Sequence, residues 1–303
     1  MGILRKHNLT VSGLSLLYLL LSYFLIGFKS EQLVLIGLFN LMFYMSDVSR
    51  RVIIGFSIFI VYWIIFDYMK ALPNYLFNDV DIAGIYHLEK KLFGIPYHGS
   101  LLTPNEYFYA ERKTFLDVMS GIFYLTWVPV PLLFALYLFF TRKEQFLNFS
   151  LTFLFINILG FVVYYIHPAA PPWYVQQFGF EFNPVTLGNT AGLSRFDSYF
   201  GVEIFKSIYA KSSNVFAAMP SLHSSYPVLV VYYGLKNRLG AINALFSVVM
   251  VGIWFAAVYS GHHYVLDVLA GISCAVIGIT LFGYLLKMKS VQRFIQTLLR
   301  ATQ

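Results

Sequence analysis

An all-α fold, a polytopic bundle of about eight membrane-spanning helices, is what this sequence predicts, and three observations carry it. Only 12% of the 303 residues are charged, against about 25% in soluble domains, and mean hydropathy is +0.68. Apolar stretches of membrane-crossing length recur along the chain. Basic residues fall in short loops at alternate ends of those stretches, the pattern that orients membrane proteins.

The elements follow in order. Met1–His7 is short and basic, and Leu9–Phe28 is too long for the apolar core of a signal peptide and lacks a small-residue cleavage site, so it reads as an uncleaved helix. Further spans are expected at Leu33–Val48, Val52–Tyr68, Val118–Phe140, Phe146–Ile166, Val215–Leu235, Ala241–Tyr259 and Tyr264–Leu286. The chain divides into N-terminal membrane helices (1–70), an outer loop (71–117), a second bundle (118–286) and a basic cytoplasmic tail (287–303). In Asp79–Phe93, Ile82, Ile85, Leu88 and Leu92 recur at helical spacing, with Glu89 and Lys90 among the polar positions. That pattern fits a helix lying in the interface or one packed on the bundle. The segments I-P-Y-H-G and T-P-N-E-Y read as turns.

Loop charges set the orientation. Arg5 and Lys6, Arg50 and Arg51, Arg142 and Lys143, Lys236 and Arg238, and the C-terminal Lys287 to Arg300 all fall on one side of eight helices, which is therefore cytoplasmic. The loops of roughly Met69–Asp117 and His167–Asn214 lie on the other side. The net charge of +7 is thus scattered as a topology signal, not gathered into a nucleic-acid surface. The single cysteine, Cys274, excludes an intramolecular disulfide and a cysteine-based metal site.

The chemistry gathers in two stretches. Y-S-G-H-H-Y-V-L-D at Tyr259–Asp267 sets Asp267 at i+4 from His263, on one face of a helix. A carboxylate behind an imidazole fixes its tautomer and raises the basicity of the far nitrogen, which serves a nucleophile, a general base or a metal ligand. A–A–M–P–S–L–H at Ala217–His223 opens another helix, with Ser221 placed to cap it or donate a hydrogen bond. His223 in the first turn sits where the helix dipole favours an anion. The topology brings His223, His263 and His167 to the same outward face, and histidines played no part in assigning it. A proton donor facing a carboxylate-backed histidine is a workable phosphoryl-transfer pair.

P-S-L-H followed by H-H-Y-V-L-D resembles the type 2 phosphatidic acid phosphatase superfamily, with its P-S-x-H and H-x-x-x-D blocks. With H-P-A-A-P-P-W-Y at His167–Tyr174, it is similar to the inositol phosphorylceramide synthase branch over roughly Leu88 to Leu286. The resemblance implies a phosphatase-like catalytic bundle over 118–286. It implies His263 as nucleophile or base oriented by Asp267, His223 as proton donor to the leaving group, and Ser221 near the phosphate. It also implies a phospholipid donor such as phosphatidylinositol, a ceramide-like acceptor, and no metal or other cofactor. Two phosphate-binding cations of the phosphatases are missing: the lysine–arginine block near the end of the fifth span, and an arginine where Ala257 stands. Candidate replacements are His262, His167, Arg195, Lys206 and Lys211, with Tyr174 a further head-group contact. A phosphodiester carries one charge and needs less compensation than a monoester dianion, which favours head-group transfer over phosphate hydrolysis. The alternative on the same scaffold is a lipid phosphate phosphatase. A proton-coupled transporter would need its ionisable residues near mid-membrane, whereas these histidines gather at one face.

Overall fold

The computed structural model describes residues 2–211 and 214–303, and it is helical almost throughout. The first three helices are α1 (Gly2–Ile26), α2 (Ser30–Met45) and α3 (Asp47–Tyr68). Gly27, at φ +76°, turns the chain out of α1 in a conformation that a side chain would strain. A single residue, Ser46, separates α2 from α3. Its Oγ accepts from Ser49 N at 3.1 Å and caps α3, while Arg50 Nε donates to Phe43 O at 2.9 Å at the end of α2.

The first outer segment folds into α4 (Ala83–Phe93), a hairpin of β1 (Ile95–Tyr97) and β2 (Ser100–Leu102), and α5 (Pro104–Ala110). Both stretches expected to be turns thus carry regular structure. His98 and Gly99 take positive φ at the hairpin tip. T-P-N-E opens α5 through a capping box between Thr103 and Glu106. The expected amphipathic helix is present as α4, but its faces differ from the expectation. Ile82 and Ile85 are buried, Leu88 and Leu92 are exposed, and Glu89 is completely buried.

The main bundle consists of α6 (Thr114–Leu125), α7 (Pro129–Thr141), α8 (Lys143–Ile166), three short helices α9 (Pro172–Phe178), α10 (Ser194–Phe200) and α11 (Ile204–Tyr209), then α12 (Leu222–Lys236), α13 (Ile242–Tyr259) and α14 (Val265–Leu285). Pro129 breaks the span expected at Val118–Phe140 into α6 and α7, because it has no N–H to continue α6 and suits a helix start. α8 runs through the middle. Ile156, Phe149 and Phe146 on it are buried among Phe134, Leu138, Leu229 and Tyr233. In this core Tyr226 OH donates to Asn157 Oδ1 at 2.6 Å, and Thr152 Oγ1 bonds the Tyr233 hydroxyl at 2.9 Å.

Two expectations are corrected. The sixth span begins at Leu222, not Val215, because the chain before it turns at Val215 and Phe216, bridges Ala169 through Ala217 and bends at Met219 and Pro220. Ala169 N donates to Phe216 O and Ala218 N to Ala169 O, while Ala170 N donates to Asp81 O. The C-terminal basic tail is a further helix, α15 (Lys289–Thr302). It buries Ile295 in the main core and turns its charges outward, and Lys143 Nζ bonds Thr302 O at 2.5 Å. Five helical stretches among the described residues are long and apolar enough to cross a bilayer, and Thr10–Ile26 and Ser30–Met45 are shorter apolar helices. At 15 residues, α12 spans about 22 Å, less than a ~30 Å hydrocarbon core.

Candidate functional site

His223 owes its position to anchors on both sides. Ser221 N donates to Asp267 O at 2.9 Å, tying the start of α12 to the start of α14. Tyr164 OH donates to Pro220 O at 3.0 Å, and Trp254 Nε1 donates to Ser224 O at 3.1 Å. α14 approaches closely because Gly271 has no side chain: a Cβ there would collide with the Ser221 carbonyl.

The facing histidine sits in a turn tied down atom by atom. Gly261 adopts φ +77°, and the N–H groups of His262 and His263 both donate to Ala257 O, at 3.2 and 3.0 Å. Asn105 Nδ2, reaching in from α5, donates to Val258 O at 2.7 Å and His263 O at 2.9 Å. Asp267 caps its own helix by accepting from Tyr264 N at 2.8 Å. The next two N–H groups, of Val265 and Leu266, donate to the Glu89 carboxylate at 2.9 and 3.1 Å. Glu89 therefore caps α14 from another element, where the helix dipole favours a negative charge. Burial pushes its pKa up to about 7, against the lowering effect of those two N–H groups and with a smaller upward contribution from Asp267.

His223 Nδ1 and His263 Nε2 lie 3.1 Å apart. Tyr124 OH is 3.2 Å from the same His223 nitrogen, and the edge of Trp127 meets the His223 ring at a centroid distance of 4.4 Å. His263 Nδ1 lies 3.5 Å from Asp267 Oδ2, longer than a good hydrogen bond. With its Nδ1 proton turned toward that carboxylate, His263 presents a lone pair at Nε2, and His223 Nδ1 is then the donor between the rings. Two imidazolium rings would set N–H against N–H, so the pair holds one bridging proton. Burial lowers the His263 pKa to about 4, opposed by the Ala218 carbonyl, so the ring is neutral at physiological pH.

The other expected contacts separate. Ser221 is fully buried; its Oγ accepts from Ser224 Oγ at 3.1 Å and makes no capping bond to α12. The His262 ring stacks on Tyr209 at 4.4 Å and donates through Nε2 to Thr190 O at 3.0 Å, holding the second outer loop. Burial first, and then the neighbouring His263, lower its pKa to about 3. His167 is half-exposed and 3.6 Å from Asp81 Oδ2. Tyr174 is buried, and its hydroxyl bonds Glu181 O and Asn183 N. Lys206 and Lys211 pair at exposed positions with Glu203 and Glu31, so the structure gives neither a contact with the histidines. Arg195 Nε bonds Asp117 Oδ1 at 2.5 Å, and its guanidinium lies over the Tyr259 ring. Tyr124, Asn105 and Glu89 join the site without having been expected there. Nothing distinguishes Tyr124 among 23 tyrosines, and the partners of Asn105 and Glu89 lie more than 150 residues along the chain.

Comparison with known proteins gives the family. A family model described as the PAP2 superfamily matches residues 85–281. The chain is 47% identical over 293 residues to the phosphoinositol dihydroceramide synthase of Bacteroides thetaiotaomicron, covering 96% of each chain. It is 32% identical over 176 residues to the inositol phosphorylceramide synthase of Candida albicans, covering 54% of this chain and 37% of that protein. A third relative, the catalytic subunit of inositol phosphorylceramide synthase from Saccharomyces cerevisiae, is 29% identical over 131 residues, 43% of this chain and 32% of that one. No solved structure matches. The chain belongs to the PAP2 superfamily and is an integral membrane protein.

Proposed function

We propose that this protein is a phosphotransferase that moves a phosphoinositol-type head group from a phospholipid, such as phosphatidylinositol, to the hydroxyl of a ceramide-like lipid. One observation carries the reading: His223 Nδ1 and His263 Nε2 meet at 3.1 Å with Asp267 behind His263, in a chain that is 47% identical to a phosphoinositol dihydroceramide synthase over 293 residues. Binding of the anionic phosphodiester brings a second proton to His223, as imidazolium; His263 Nε2 then attacks phosphorus, and His223 gives one proton to the departing diacylglycerol oxygen. The acceptor hydroxyl, deprotonated by the now neutral His223, then displaces His263 and takes the head group. Direct displacement, with His263 as base toward the acceptor, uses the same residues.

Transfer is favoured over hydrolysis by two features. His263 is 6% exposed, so bulk water is kept from the phosphorus it would attack. Ala257 leaves a fully buried methyl where the phosphatases place an arginine, which suits the single charge of a diester. The site is assigned to the non-cytoplasmic face. Support comes from Arg142 Nη1 bonding Asn237 O and Lys143 bonding Thr302 O, which gather three basic segments at one end of the bundle.

The test supplies phosphatidylinositol labelled in its head group, with and without a ceramide acceptor. Label moving to the acceptor lipid, and only in its presence, is the expected result. Release of labelled inositol phosphate to water at the same rate without acceptor makes the protein a hydrolase instead.

A further inference from the structure

A polar cavity of about 280 Å³ opens beside the turn that carries the two histidines, and Ser260 and Gly261 form one of its walls. Arg195 lines it in a fixed posture. Asp117 holds Nε at 2.5 Å, Tyr259 OH bonds the same carboxylate oxygen at 2.9 Å, and the guanidinium rests on the Tyr259 ring. Its Nη2 is buried and has no hydrogen-bond partner. Asn105 lines the same cavity. Its Nδ2 holds the His263 turn, and its Oδ1 is likewise buried and unpartnered. Both residues line the cavity, and each keeps one buried polar atom without a partner in the protein, a demand that a polar ligand settling beside them can meet.

The remaining walls have matching chemistry. Gln176 and Gln177 bring carboxamides that both donate and accept, and Arg112 adds a second guanidinium, held over the Tyr109 ring. Gly192 lets Arg195 and the histidine turn pack closely at this corner, because a Cβ there would come within 2.9 Å of both Arg195 Nη2 and the Ser260 backbone. Carboxamides with two guanidiniums suit a ligand with many hydroxyls and one anionic group, and are poorly matched to an acyl chain or a quaternary amine.

We propose that this cavity is the recognition site for the polyol head group of the donor phospholipid, taking the hydroxylated ring next to the histidine turn. The assignment rests on the transfer reaction proposed above. It joins recognition to chemistry through shared parts: Asn105 touches both the cavity and the His263 carbonyl, and Thr190, on the cavity wall, accepts from His262 Nε2.

The test uses full-length protein with Arg112→Gln and Gln177→Leu, both at exposed positions where folding tolerates the change, and with Arg195→Lys. Each is expected to raise KM for phosphatidylinositol about tenfold, with kcat and KM for the ceramide acceptor changed less than twofold. Inositol 1-phosphate, as a soluble probe, is expected to inhibit wild type competitively against phosphatidylinositol, and about tenfold more weakly in Gln177→Leu. Unchanged KM for the donor in both exposed variants overturns the assignment while leaving transfer itself intact, and so does an effect confined to the acceptor. A wild-type protein that moves no head group overturns the transfer reading instead.

Discussion

The Ser260–Tyr264 turn is tied down by Asn105, Glu89, Ala257 and the backbone of two distant segments, with Gly192 N bonding Ser260 O and Trp173 N bonding Gly261 O. Among the described residues, the polar contacts that tie α1 and α2 to the rest of the chain include Ser22 to Tyr68 at 2.9 Å and Glu31 to Lys211 at 2.8 Å. Leu14, Leu16, Phe24 and Leu38 on them are exposed. The difference follows from what each region must do. Lipid tails solvate leucine as well as another leucine does, so an apolar helix at the edge needs little protein around it. A nucleophile must be held to within fractions of an ångström, which takes directional bonds from several elements.

The contrast predicts a steep gradient of mutational effect. At its top, His263→Ala is expected to reduce head-group transfer at least about a thousandfold, with the melting temperature in detergent nearly unchanged. His223→Ala should match it, since the proposed mechanism makes the two histidines act as a unit. Wild-type turnover in His263→Ala would remove the chemistry from this turn altogether.

One step down are the residues that hold the turn without touching substrate at the histidines. Glu89→Ala leaves two buried N–H groups of α14 without an acceptor, at about 1–3 kcal/mol, and frees the start of the helix that bears Asp267. Transfer should fall about tenfold and the melting temperature should drop; an unchanged rate would show that the turn holds its shape without this cap. Asp267→Asn removes the charge behind His263 and is expected to cost 10- to 100-fold in rate.

The same carboxylate gives the turn a pH dependence. Burial raises the folded pKa of Glu89 to about 7, above its ordinary value of 4.5. The folded state therefore binds the extra proton, and this contribution to stability, complete below about pH 4.5, is lost as pH rises through 7. His263 has the opposite sign: lowered to about 4, it contributes fully above about pH 6.5 and its contribution is lost as pH falls through 4. Melting temperatures measured from pH 5 to 8.5 should decline more steeply in wild type than in Glu89→Gln. Parallel curves would show that Glu89 does not titrate in this range.

Much of this was legible in the sequence where the signal is local. The i+4 spacing of His263 and Asp267 and the P-S-L-H start of α12 announce themselves within a single helical turn. What stayed hidden depends on distant partners. Glu89 reads as an outward polar position because the two N–H groups that bury it lie 176 and 177 residues away. Residues 215–221 are as apolar as a helix, yet a turn at Val215–Phe216 and a bridge from Ala217 to Ala169 keep them out of α12. In α15 the charges dilute the hydropathy of Ile295, Leu298 and Leu299, so a docked amphipathic helix looked like a tail.

The smallest effect belongs at the edge of the molecule. Ser22→Ala removes the hydroxyl that bonds Tyr68 and leaves the Tyr18–Tyr68 ring contact in place. Tyr68 keeps a second acceptor, the Tyr18 carbonyl at 3.4 Å, so the loss is expected to stay below about 1 kcal/mol. Transfer kinetics should be unchanged, because among the described residues α1 packs on α2 and α3. A Ser22→Ala variant that lost as much rate as Glu89→Ala would contradict the contrast drawn here. The N-terminal helices would then belong to the machinery that positions the turn, and their exposed apolar faces would need a role beyond contact with lipid.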